Sequence, residues 1–167
     1  MTVDAGFIFD QKTDIDQLKD ALKGIMHQFS KAAGRMVLRD KKIFVLCHNQ
    51  GIPVTHLVKN TPGPSDLKSP IPIEFFDLIK DWNPKKNREA NPPFKIKVTD
   101  FSDGKQIITV SASHGICDAR SIGMFFEAWS AQFNGKPLSE NNVTCDDSWI
   151  PLAPEMMQPP LSDGKDV

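Results

Sequence analysis

The chain has 167 residues, 40% hydrophobic and 25% charged, with a formal net charge of −1, the size and make-up of one ordinary soluble domain. A near-neutral surface gives no electrostatic basis for nucleic acid or a membrane as partner, and no apolar stretch approaches the roughly 20 residues that cross a bilayer. Cys47, Cys117 and Cys145 are irregularly spaced, which argues against a disulfide framework and for a reducing, cytoplasmic compartment, while Cys47, His48 and His56 lack the second ligand pair of a zinc site.

The start Met1-Thr2-Val3-Asp4 has no basic patch ahead of an apolar core, so no signal peptide is expected. Val3 to Phe9 reads as an apolar strand. Thr13 then opens a helix as its N-cap, with Asp16 three residues on as a capping-box partner. Ile15, Leu18, Leu22, Ile25, Met26 and Phe29 form one apolar stripe at helical spacing. The helix is expected to stop at Gly34, through the left-handed cap conformation open to glycine.

Met36 to Leu38 and Ile43 to Cys47 flank a polar turn and read as a hairpin. Pro53 to Val58 adds a short strand. Residues 60–72 and 83–93 are loops by their proline and polar content, and residues 73–82 are equally compatible with a short helix and an extended piece. A second hairpin is clearer. Phe94, Ile96 and Val98 alternate with polar residues, Asp103-Gly104 supplies the turn, and Gln106 to Ser113 returns with Ile108, Val110 and Ala112 on one face. After Asp118 a second amphipathic helix carries Ile122, Phe125, Phe126, Trp129 and Phe133, and ends at Asn134-Gly135. The expected fold is α+β (an α/β sandwich): a mixed, mostly antiparallel sheet with two helices packed on it. Residues 1–150 form the domain and 151–167 a disordered tail.

The chemistry-bearing stretch is Ser111-Ala112-Ser113-His114-Gly115-Ile116-Cys117-Asp118. It places an imidazole where a buried strand stops and a carboxylate where a helix starts. Histidine, with an unperturbed pKa near ~6.5, accepts and returns a proton at neutral pH. Asp118 is placed to cap the following helix and so to order the turn that presents His114. Cys117 is a candidate nucleophile only if its thiol ionises, and buried free cysteines are usually inert. Ser111 and Ser113 lack a Gly-x-Ser-x-Gly elbow. His48 and His56 have no evident chemical partner, and Arg35 reads as a helix-end cation rather than a phosphate ligand.

Four stretches resemble the BAHD acyltransferases, in that family's order. Gln17 to Met36, QLKDALKGIMHQFSKAAGRM, is similar to the first long helix with its Ala-Gly-Arg turn. Pro93 to Asp118, PFKIKVTDFSDGKQIITVSASHGICD, is similar to the strand pair leading into the HxxxD motif. SIGMFFEAWS and GKPL match the helix and loop beyond it. The resemblance implies a half-domain of the chloramphenicol acetyltransferase-like fold. It further implies that His114 deprotonates an alcohol or amine acceptor, which attacks an acyl-CoA thioester, with acyl-CoA as co-substrate and no bound cofactor. It makes Asp118 structural, paired with an arginine outside this chain.

Two departures stand out. Ala119 takes the place of the family's glycine, and the family's Asp-Phe-Gly-Trp-Gly motif and opening strand are missing. The chain is therefore expected to need a second half-domain or another copy of itself, or else to be a non-catalytic binding or assembly module.

Overall fold

The computed structural model describes residues 2–40, 42–65, 71–79 and 91–138. Among these residues, six strands and two helices run in the order β1 (Thr2–Phe9), α1 (Ile15–Ile25), β2 (Arg35–Arg39), β3 (Lys42–Leu46), β4 (Val54–Val58), β5 (Phe94–Asp100), β6 (Gln106–Ser113) and α2 (Ala119–Phe133), with a 3-10 turn at Ile73–Phe75. The four-stranded sheet has the order β1-β6-β5-β4. β6 pairs antiparallel with both β1 and β5, while β4 joins β5 in parallel. β2 and β3 form a separate hairpin, tied toward the sheet by a bridge from Met36 to Asn91. This is the mixed, mostly antiparallel sheet with two helices that the sequence pattern predicts.

The alternation of β5 and β6 explains the main core. Phe94, Ile96 and Val98 with Ile108, Val110 and Ala112 face the helices, where they meet Leu18, Leu22 and Ile25 of α1 and Ile122, Phe125 and Trp129 of α2. Period 2 on the strands matched to period 3.6 on the helices makes one apolar layer between them. Trp129 also donates its indole N–H to the Leu18 carbonyl at 2.9 Å, so the two helices are joined by a polar bond inside that layer. Gly104, at φ +88, supplies the turn between β5 and β6.

The start and end of α1 differ from the sequence reading. Asp14, not Thr13, is the N-cap; its carboxylate accepts from the Asp16 and Gln17 N–H groups. Thr13 is instead drawn away to a buried side chain of β6, described below. The helix ends at Ile25 rather than running to Gly34. Beyond it the chain tightens into turns whose N–H groups reach three residues back, as in Ala32 to Phe29 and Gly34 to Lys31. That winding still carries Phe29 onto Phe125, with ring centroids 5.3 Å apart. Gly34 matters for space rather than for a left-handed cap: a Cβ there would stand 2.6 Å from Val45 Cγ1 and 2.8 Å from the Leu46 carbonyl oxygen.

The segment 73–82 begins as the short 3-10 turn, followed by an irregular stretch to residue 79. The rest of that segment, residues 83–90 of the following loop, and the 151–167 tail lie outside the described residues.

Candidate active site

β6 is interior to the sheet, and every residue from Gln106 to Ala112 is buried. A strand paired on both sides and packed on both faces is a rigid mount. Its last residue, Ser113, donates its N–H to the Pro93 carbonyl at 2.8 Å and then turns the chain. The Ser113 carbonyl accepts the N–H groups of Ile116 (3.1 Å) and Cys117 (3.3 Å), while its hydroxyl accepts from Gly115 N–H at 3.4 Å. The turn so closed carries His114, which is exposed.

Cys117 sits on the opposite side of that turn. It is buried in the helix-facing core and directs its thiol to the Ser113 carbonyl at 3.6 Å. Burial, helped by the Asp118 charge, pushes the thiol up to about 11. A protonated, enclosed sulfur is no nucleophile at neutral pH; it plugs the turn into the core.

Asp118 is the N-cap of α2. One carboxylate oxygen accepts from the Ser121 N–H at 2.8 Å and from the Ser121 hydroxyl at 2.7 Å. These two bonds, the hydroxyl's first, hold its carboxyl below the usual carboxylate range, with a smaller contribution from His114. A carboxylate engaged in this way orders the first turn of the helix. No ion pair to Asp118 occurs among the described residues.

The other sequence candidates are placed elsewhere. Ser111 is buried, and its hydroxyl accepts from Ile79 N–H. Arg35 spends its guanidinium on carbonyl oxygens, at 2.7 Å from Gly34 and 2.9 Å from Gly51, and so staples the loop after β3.

His56 does have a partner. Its Nε2 lies 2.9 Å from Asp100 Oδ2. Asp100 Oδ1 accepts from the Gln106 amide at 2.9 Å, and Gln106 in turn accepts from the Thr13 hydroxyl at 2.6 Å and donates to the Thr13 carbonyl at 3.0 Å. This chain of bonds joins β4, β5, β6 and the approach to α1. It lies at the start of β6, whereas His114 follows its end, a strand length of roughly 25 Å away. The two histidines therefore belong to different places. The one advance sign of the network is a glutamine at the head of an otherwise apolar, buried strand.

No group of three or more His, Cys, Asp or Glu able to hold a metal ion occurs among the described residues, and no helix among them is long and apolar enough to cross a membrane.

Comparison with known proteins assigns a family to this arrangement. The profile of the Transferase family matches residues 4–163. A malonyltransferase of Salvia splendens, pelargonidin 3-O-(6-caffeoylglucoside) 5-O-(6-O-malonylglucoside) 4'''-malonyltransferase, is 29% identical over 134 residues, 74% of this chain and 29% of the relative. Salutaridinol 7-O-acetyltransferase of Papaver somniferum is 30% identical over 122 residues, 71% of this chain and 24% of the relative. Vinorine synthase of Rauvolfia serpentina is 27% identical over 71% of this chain and 28% of its own length. The chain thus spans between about a quarter and three tenths of the curated relatives it matches. Among solved structures, F. graminearum TRI101 complexed with coenzyme A and T-2 mycotoxin superposes with a TM-score of 0.61 at 14% identity, covering 84% of this chain and 37% of that one. The described fold is part of a chloramphenicol acetyltransferase-like fold.

Proposed function

This chain belongs to the Transferase family of BAHD acyltransferases, and from that premise we propose that it carries the base-bearing part of an acyl-CoA-dependent O- or N-acyltransferase, with His114 as general base. The supporting observation is the placement of His114: exposed on a turn that Ser113, Cys117 and Asp118 fix from three sides. An accessible imidazole carried on an ordered turn is suited to proton abstraction from an incoming acceptor.

In this reading an imidazole nitrogen of His114 takes the proton of an acceptor hydroxyl or amine as its heteroatom attacks the thioester carbonyl. The tetrahedral intermediate then collapses, the carbon–sulfur bond breaks, and the departing CoA thiolate takes the proton back from the imidazolium. Asp118 holds the turn and touches no substrate. The unit responsible is residues 1–150, acting in the cytoplasm, where acyl-CoA is available. Two of the relatives are named for malonyl and acetyl transfer, which supports acyl transfer as the class of reaction.

A second reading, beside the chain's span of 24–29% of two relatives, is that the described unit acts with a second half-domain or a second copy, or serves as a non-catalytic assembly module. Light scattering gives the mass in solution, and release of CoA thiol with a panel of alcohols and amines gives activity. An oligomer that releases thiol, with release abolished in His114→Ala, supports the acyltransferase reading. A monomer with no release under any condition supports the module instead.

A further inference from the structure

The face of the sheet away from the helices is mostly polar. In register across it stand Asp4, Ser111 and Lys95, then Gly6, Thr109, Lys97 and Thr55. Residues 71–79 cross this face, yet no backbone–backbone hydrogen bond joins them to a strand among the described residues. Their own N–H groups at Phe75 and Phe76 bond back within the segment, to Pro72 and Ile73.

The attachments come from sheet side chains. Lys97 donates to the Glu74 carbonyl at 2.7 Å and Thr109 to the Phe75 carbonyl at 2.7 Å. Asp77 accepts from the Thr55 hydroxyl at 3.0 Å and from Lys95 at 3.3 Å. The Ile79 N–H donates to the Ser111 hydroxyl at 3.2 Å. Lys59 sits 3.6 Å from the Glu74 carboxylate and 4.4 Å from the centre of the Phe75 ring. Apolar anchoring comes from buried Phe75, against Phe101 and Ile107, from buried Ile79, and from half-buried Ile71, which packs on the same cluster, with Phe76 and Leu78 also half-buried. Ile73 points outward, 71% exposed.

We propose that residues 71–79 are a charge-latched strap, able to lift from the sheet as a unit without breaking any strand pairing, and held shut by the ion pairs Lys95–Asp77 and Lys59–Glu74, with Lys97 added on the Glu74 carbonyl. A segment bonded to the sheet only through side-chain contacts opens at a cost set by those contacts and its apolar anchors, whereas a ladder strand opens only with its neighbours. Its ion pairs are part-exposed, so salt weakens them: the screening length falls from about 10 Å at 0.1 M to about 3 Å at 1 M. Lifting uncovers Ser111, three residues before His114, together with the Lys95 and Lys97 ammonium groups. The inference stands on these contacts and is independent of the acyl-transfer reading.

Amide hydrogen exchange of the intact chain tests it, with the Ile79 amide, which bonds to the Ser111 hydroxyl, as reporter and Ile107 to Ala112 as the sheet reference. Raising NaCl from 0.05 M to 1 M should speed exchange of the Ile79 amide about five-fold and leave the sheet amides unchanged. Asp77→Asn and Lys95→Met should each accelerate it at 0.05 M NaCl and blunt the further effect of salt. Two results overturn the proposal. One is Ile79 protection in the wild-type chain that salt does not alter. The other is an Ile79 amide that exchanges only together with the sheet, which makes the strap part of one cooperative unit.

Discussion

Replacing Gln106 with alanine should remove more stability than any single apolar truncation at the rim of the core. Gln106 is fully buried and uses both ends of its amide. Oε1 accepts from the Thr13 hydroxyl (2.6 Å) and the Thr13 N–H (3.3 Å), and Nε2 donates to the Thr13 carbonyl (3.0 Å) and to Asp100 (2.9 Å). Neutral bonds contribute about 0.5–1 kcal/mol each and a bond to a carboxylate about 1.5 kcal/mol, so the loss sums to about 3–4.5 kcal/mol. Against a total stability of about 5–15 kcal/mol that is a large share. With a urea slope of about 1.5 kcal/mol/M, the midpoint should fall by about 2–3 M with the slope preserved. Gln106→Glu keeps the acceptor for Thr13 but sets a second carboxylate against Asp100. That variant should be unstable at neutral pH and recover as pH falls through the carboxylate range, because the crowded pair holds a proton in the folded state at a pH where the unfolded chain has released it. A Gln106→Ala midpoint within about 0.5 M of wild type would refute the assignment of Gln106 as the hub joining three strands to the α1 approach.

Gly34→Ala should cost about 1–3 kcal/mol in thermal or urea unfolding, because its methyl meets Val45 and the Leu46 carbonyl at under 3 Å; an unchanged melt would mean the hairpin yields freely. At pH 8, a thiol reagent followed by mass spectrometry should label exposed Cys47 well before Cys117 in the folded chain, and both alike in urea. The Cys117 pKa is raised from 9.0 to about 11 on folding, so its contribution is present below pH 9 and is lost as pH rises toward 11; Cys117→Ala should flatten that alkaline decline. The Asp118 pKa is depressed on folding, so its contribution is present above the unfolded value and is lost as pH falls. Asp118→Asn should retain most of the cap and Asp118→Ala lose it, read as helix content and melting temperature by circular dichroism across the acid range.

The strands, both hairpins and the second helix are legible in the sequence because their signals are local. Alternation on Phe94–Val98, Asp103-Gly104 at the turn, and Asn134-Gly135 after α2 each act within a few residues. The cap of α1 falls at Asp14 instead of Thr13 for the opposite reason. A residue 93 positions away recruits the Thr13 hydroxyl, and no local rule sees that. The end of α1 is hidden because the apolar stripe continues to Phe29 even after the winding tightens. Of the candidate site, the positions of His114 and Asp118 follow from the strand-to-helix junction. The plug made by Cys117 and the pairing of His56 with Asp100 depend on contacts that only the folded chain brings together.

The most direct test of the account is CoA-thiol release measured side by side for wild-type chain and His114→Ala, in whatever oligomer or two-part assembly turns over an acyl-CoA with an alcohol or amine. The account predicts a rate for His114→Ala indistinguishable from uncatalysed thioester loss, with the melting temperature of wild type because the imidazole is exposed. Undiminished turnover in a folded His114→Ala chain would contradict it.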